Sequence, residues 1–360
     1  MAGNDGSGSR IAASRPNVAV AGQDDASLAE GLLSLRIHEA ADGLFSCEAT
    51  FGNWGARDGR VSFLYFDRQK LDFGKEVAIS LGSDTLFSGR ITGLEARYPE
   101  GQAPQITVLA EDRYQDLRMV RRTRTFADVS DADVFTQVAS DHGLTPDVQV
   151  GGPTYRVLAQ LNQSDLAFLR ERARTIDAEL WMSGSTLSAR ARSDRRGTTA
   201  TLGYGNELRE FTVLADLAGQ RTSVTVNGWD IGGKQSLSET ATESAVQGEL
   251  NGGQGGSSIL ATALAQRKES VASIVPLSSR EAQSRAETLY KRVARRFLAG
   301  RGVTQTNADL RVGARVKLEH LGDLFSGEYY VTEVVHRFDD ANGLRTEFAV
   351  ERPALGGTSS

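Results

Sequence analysis

Two stretches of the chain decide the fold when laid side by side: LDFGKEVAISLGSDTLFSGRITGLEARY, from Leu71 to Tyr98, and LRVGARVKLEHLGDLFSGEYYVTEVVHRF, from Leu310 to Phe338. Leu71 matches Leu310, Gly74 matches Gly313, Val77 matches Val316 and Ile79 matches Leu318. A one-residue shift brings Phe87-Ser88-Gly89 onto Phe325-Ser326-Gly327. Two further single-residue shifts bring Thr92 onto Thr332, Leu94 onto Val334, Arg97 onto Arg337 and Tyr98 onto Phe338. Such self-similarity marks a duplicated structural unit. Val77, Ile79 and Leu81 alternate with polar residues, as do Val316 and Leu318, the period of a half-buried strand. Leu94, Ala96 and Tyr98 repeat the pattern, as do Val334, His336 and Phe338. The Phe-Ser-Gly step reads as the turn between two antiparallel strands, with glycine supplying backbone angles that other residues resist. A polar turn (99–103; 339–343) and a further strand (105–110; 345–350) complete each copy as a β-meander.

Outward from the repeat, Leu32 to Ile37 and Val61 to Phe66 read as further strands of the first copy. Between the copies the pattern turns helical. Ser130 to Asp133 offers caps for a helix carrying Val134, Phe135, Val138 and Ala139. A second helix starts near Asn162 to Asp165 and carries Leu166, Leu169, Ala173 and Ile176. A hairpin follows, 178–182 and 186–192. The second copy opens with Leu208 to Val213 and Ser223 to Val226, the latter ending at Asn227-Gly228-Trp229. A helix with the capping box Ser278-x-x-Glu281 carries the stripe Ala282, Ala286, Leu289, Val293, Phe297. Arg285, Lys291, Arg292, Arg295 and Arg296 make the remainder strongly basic, a face that is either solvated or set against an acidic partner surface. The expected fold is therefore mainly β with an α+β insertion: two duplicated β-barrel modules plus a small α+β domain. Residues 1–15 form a disordered tail, 16–119 the first module, 120–200 the inserted domain, 201–352 the second module and 353–360 a C-terminal tail. Residues 234–278, with Asn251-Gly252-Gly253-Gln254-Gly255-Gly256, read as flexible.

Composition bounds the function. The net charge of −5 does not suit a general nucleic-acid binder. One cysteine, Cys47, allows no intrachain disulfide. The first ten residues hold no secretory signal, and no apolar run reaches the roughly 18 residues of a membrane span. The expectation is a protein assembled in the cytoplasm. The four histidines, His38, His142, His320 and His336, are scattered without metal-ligand spacing. Gly203-Tyr204-Gly205-Asn206 reads as a turn, since neither a phosphate loop nor a three-glycine signature is present. No serine, cysteine or carboxylate stands in a nucleophile motif, so neither enzyme activity nor a cofactor is expected. The competing classes are a baseplate-associated peptidoglycan hydrolase and a carbohydrate-binding β-protein.

Three motifs carry a resemblance. Gln160-x-x-x-Ser164-Asp165-x-x-Phe168-Leu169 is similar to a stretch of phage late control D proteins, which themselves resemble the N-terminal part of type VI secretion spike proteins. Asn227-Gly228-Trp229-Asp230 resembles that family's Gly-Trp-Asp step. Gly313, followed by Phe325-Ser326-Gly327-x-Tyr329-x-Val331 and His336, resembles its closing motif. The likeness covers most of residues 30–352. It implies tube-like β modules and a trimeric hub of a contractile tail, joining a hexameric inner tube to a separate trimeric spike and to other baseplate components. The separate spike is expected because the chain ends at Ser360, soon after its last strand. Three chains with two modules each would supply six similar units. Phe87, Ser88, Gly89, Phe325, Ser326, Gly327 and Trp229 are the candidate interface residues. Neither catalytic nor metal-binding residues are implied.

Overall fold

The computed structural model describes residues 15–41, 44–195, 197–230, 232–272 and 278–356. The expected N-terminal tail lies outside them up to residue 14, and the C-terminal tail from residue 357 on. The protein is mostly β, with 50% of the described residues in strands and 21% in helices. Two compact units divide it.

The first unit comprises residues up to Ile37, Ser46–Glu111 and His336–Thr346. It contains β1 (Asn17–Val20), β2 (Gln23–Asp24), α1 (Ala26–Gly31) and most of β3 (Leu32–Ala40). There follow β4 (Ser46–Gly52), β5 (Trp54–Arg57), β6 (Arg60–Phe63), β7 (Glu76–Leu81), β8 (Asp84–Arg97) and β9 (Gln105–Glu111). The sheet order is β3-β4-β9-β8-β7-β1-β2, while β5 and β6 form a hairpin of their own. Period-two burial runs through it: Cys47, Ala49 and Phe51 on β4, and Val77 and Ile79 on β7, turn into the core.

The second unit is built from His38–Phe45, Asp112–Val335 and the residues from Glu347 on. Its α+β part holds α2 (Tyr114–Arg118), β10 (Arg121–Ser130), α3 (Asp131–Asp141), β11 (Thr145–Gln149), β12 (Thr154–Ser164), α4 (Asp165–Thr175), β13 (Ala178–Ser183) and β14 (Thr186–Ala191). The expected helices form where their caps place them. Ser130 and Asp133 make a capping box for α3, and Ser164 accepts the Ala167 amide at the start of α4. Val134, Phe135, Val138, Leu166, Leu169 and Ala173 all enter one core.

Next come β15 (Thr199–Gly203), β16 (Leu208–Ala215), β17 (Ser223–Asp230), β18 (Gln235–Ala241), a 3-10 helix (Glu243–Glu249), β19 (Gln254–Gly255), α5 (Gly256–Leu264), β20 (Lys268–Val271) and α6 (Ser279–Ala294). The chain closes with β21 (Leu298–Gln305), β22 (Arg315–Glu319), α7 (Gly322–Phe325), β23 (Gly327–Asp339), β24 (Gly343–Arg352) and β25 (Ala354–Leu355). Two expectations change here. Residues 234–278, read as flexible from composition, instead supply β18, the 3-10 helix, α5 and β20; residues 273–277 lie outside the described set. β18 pairs along β17 from Gln235 to Ala241, and α6 packs against that sheet. The segment read as a C-terminal tail supplies β25, paired with β19.

The duplication is visible in the sheets. β16-β21-β24-β23-β22 follow the same order as β3-β4-β9-β8-β7. Gly74 and Gly313 both have positive φ, +79° and +90°. Gly74 donates to the Ile91 carbonyl at 2.8 Å and Gly313 to that of Val331 at 3.0 Å. Ile91 and Val331 return hydrogen bonds to Lys75 and Ala314. Leu71 and Leu310, matched in sequence, are both buried. One part of the sequence alignment is corrected. Ile79 pairs with Phe87, whereas its counterpart Leu318 pairs with Gly327. Phe87 is therefore equivalent to Gly327, and the two Phe-Ser-Gly steps do not superpose. The β7–β8 turn is made by Gly82 and Ser83, with Gly82 at φ +59°.

Candidate assembly surfaces

The residues singled out from sequence have mostly internal roles. Phe87 is 1% exposed and lies within β8. Ser88 beside it is exposed. A Cβ on Gly89 would sit 2.4 Å from the Glu111 carbonyl oxygen, so glycine there permits close approach of β8 to β9 rather than a turn. Phe325 ends α7, and its carbonyl accepts the Tyr329 hydroxyl at 2.7 Å. Ser326 bonds the Leu321 amide through its hydroxyl, and its carbonyl accepts from Arg352 at 3.0 Å. Gly327 opens β23 at φ +139°, where a Cβ would meet the Arg352 guanidinium. Trp229 is 49% exposed near the end of β17, which continues past the expected stop to Asp230. In the second unit, Trp229 and Gly327 stand on different sheets.

The motif Gln160-x-x-x-Ser164-Asp165 is likewise a structural device. Asp165 is almost completely buried, and Arg122, Arg124, His142 and Gln160 converge on its carboxylate. Burial alone would raise the Asp165 pKa. Hydrogen bonds from His142 and Gln160 and the charges of Arg124 and Arg122 outweigh it, holding the carboxyl below its ordinary value. Arg295, expected on the basic outer face of α6, is 2% exposed and bridges Asp177 and Glu249. Burial pulls its pKa down, and those two carboxylates push it above the ordinary arginine value. His336 is buried and bonds Thr346 at 2.8 Å. Among the described residues no cluster of His, Cys, Asp and Glu could hold a metal, and no helix is long and apolar enough to cross a membrane.

The strongest exposed feature lies elsewhere, on the β5–β6 hairpin. Trp54 pairs with Phe63 and Ala56 with Val61 across the strands, and all four are exposed. Trp54 meets Phe63 edge-on at 5.1 Å, Phe63 stacks on Phe66 at 5.0 Å, and Tyr98 at the end of β8 closes the cluster 5.8 Å from Phe66. Trp54 is 47% exposed, Val61 64% and Tyr98 66%. Asn53, fully buried, fixes the platform: its side-chain oxygen accepts the amides of Leu64 and Tyr65 at 3.0 and 2.7 Å. A contiguous apolar face of this kind is a contact surface in waiting. The signal was present in the chain, because Asp58-Gly59 between alternating apolar residues is a strong hairpin mark, and both have positive φ.

A second feature is an open strand edge. β16 pairs with β21 on one side and, among the described residues, with no strand on the other. Leu214 on it is 64% exposed.

Solved structures share this architecture. The prophage MuSo2 43 kDa tail protein from Shewanella oneidensis aligns over 95% of this chain and 99% of its own, at 12% identity and TM-score 0.69. A tail protein from Neisseria meningitidis aligns over 94% and 96%, at 12% identity and TM-score 0.68. The Escherichia coli c3393 protein, described as a type VI secretion system component similar to the T4 bacteriophage tail proteins gp27 and gp5, aligns over 91% and 76%, at 12% identity and TM-score 0.57. The chain thus has the fold of these phage-tail and secretion-system proteins. No curated protein matches the sequence. The family model that does match is that of the Alg8 N-terminal domain, over residues 18–340, and the chain belongs to that family.

Proposed function

We propose that the chain is a non-enzymatic structural hub of a contractile phage tail or phage-tail-like injection system, assembled in the cytoplasm. In this reading it is a homotrimer that joins a hexameric inner tube to a separate trimeric spike, alongside other baseplate components. It needs neither cofactor nor nucleic acid. The observation that supports it is the repeated five-strand sheet, β3-β4-β9-β8-β7 and β16-β21-β24-β23-β22, within one chain. Two similar sheets per chain in a trimer give six nearly equivalent positions, so one face can meet six-fold subunits while the assembly keeps three-fold symmetry. Residues 16–119 and 201–352 would be the two modules, with 120–200 inserted between them. The late control D resemblance and the tail-protein fold both favour this reading.

The test is the native mass of the purified chain, alone and mixed with the tube and spike proteins of the same system. A trimer, or a trimer formed on adding the spike protein, is expected. A monomer indifferent to both proteins would overturn the hub.

A further inference from the structure

Beside α6 the second unit is open. A cleft of about 750 Å³ runs between the end of that helix, the end of α4 and the loop after β16. Leu289, Arg292, Val293 and Arg296 line it, at the three- and four-residue spacing of one helix face.

The charges in the cleft are unevenly committed. Asp177 accepts from Arg295 at 2.9 Å, Glu179 from Arg195 at 2.8 Å, and Glu351 is paired with Arg192. His38 Nε2 lies 2.9 Å from Glu333, and Asp216 accepts the Ala218 amide at 2.8 Å. The carboxylates therefore have partners already. Arg292 and Arg296 are exposed, and among the described residues neither has a carboxylate within ion-pair distance. The helix dipole favours cations at this end, but it gives their guanidinium donors nothing to bond. Leu289 and Val293, both half-buried, share the face and make the surroundings less polar than open water, which strengthens a charge pair formed there.

We propose that this cleft is a docking site for an acidic peptide segment of a partner protein, with its carboxylates held by Arg292 and Arg296. A guanidinium takes a carboxylate through two parallel hydrogen bonds, so the residue type fits the ligand. The two arginines stand about 6 Å apart along the helix, close to the spacing of alternate residues in an extended chain. The volume suits several peptide residues better than a single inorganic anion. Among the described residues no aromatic side chain lines the cleft, so a nucleic-acid base has nothing to stack on. The site lies wholly within the second unit and stands apart from the hub reading.

The test uses a fluorescein-labelled peptide of alternating Glu and Ser, read by anisotropy against the purified chain, with the same peptide carrying Gln for Glu as its neutral control. The acidic peptide is expected to bind, the neutral one not, and the binding to weaken as salt rises. Arg292→Gln with Arg296→Gln should reduce affinity at least about tenfold, with circular dichroism unaltered because both side chains are exposed. Arg156→Gln with Arg209→Gln removes the same charge from exposed positions outside the cleft and should leave affinity unchanged. Gly219 gives a reporter of place: it lines the cleft, and an added Cβ meets nothing within 4 Å. A dye on Gly219→Cys should respond to the acidic peptide, while Cys47 is buried and stays unlabelled. Absence of binding, equal weakening by both arginine pairs, or a silent dye overturns the site. An oligo-dT strand that binds more tightly than the peptide, and is lost with Arg292 and Arg296, overturns the peptide as its occupant.

Discussion

At the scale of single residues, Gly74 and Gly313 do the same backbone work in different surroundings. Both adopt positive φ, but a Cβ on Gly74 meets nothing within 4 Å, whereas on Gly313 it would lie 2.2 Å from Arg195 Nε. Gly74→Ala should cost about 1 kcal/mol from backbone strain alone. Gly313→Ala should cost roughly 3 kcal/mol, because displacing a buried arginine adds to that strain. Urea titration of the two variants checks the order. Asp165 makes a second case. Its pKa is held below the ordinary 3.8, so its contribution to stability is present above that value and is lost as pH falls through the lower folded pKa. Asp165→Asn should cost about 2 kcal/mol at neutral pH, the partly exposed arginines softening the loss. It should also flatten the acid limb of the melting-temperature profile. Gln160, Ser164 and Asp165 were recognisable as a motif, yet their role was not, because the partners Arg122, Arg124 and His142 come from other elements. Arg295 was misplaced for the same reason. Helical spacing assigns a face, but only Asp177 and Glu249, far off in sequence, make that face an interior one.

At the scale of elements, the β5–β6 hairpin and β16 carry the exposed apolar surface. Trp54→Ala with Phe63→Ala should cost about 2 kcal/mol, since the two side chains are 47% and 37% exposed and bury only part of their surface. Self-association should also weaken, as read by sedimentation equilibrium, because the apolar face they form is a contact surface. Elements with strong local signals were legible: capped helices, period-two strands and the matched meanders. Those that depend on distant partners were not. The residues from Lys234 to Ser258 are rich in glycine and serine, which says flexibility by composition, and yet β18 is fixed by its register with β17. The Phe-Ser-Gly match misled in the opposite sense. An identical tripeptide suggested a shared turn, whereas strand pairing sets register by hydrogen bonds, and those place Gly89 and Gly327 at different positions.

At the scale of the whole molecule, the duplication was legible in outline from Leu71, Gly74, Val77 and their partners, although the sheet order that proves it was not. The native mass of the purified chain is the measurement belonging to this scale, and on the proposed hub reading a trimer is its expected outcome. The composition of the first unit has a separate consequence. It is assembled from the start of the chain, from Ser46–Glu111 and from His336–Thr346, so its last piece is among the last to be synthesised. During translation the early strands must wait on the ribosome for a partner that has not yet been made. A chain arrested before residue 336 should therefore remain protease-sensitive in its N-terminal third, so that prematurely terminated products are degraded instead of accumulating.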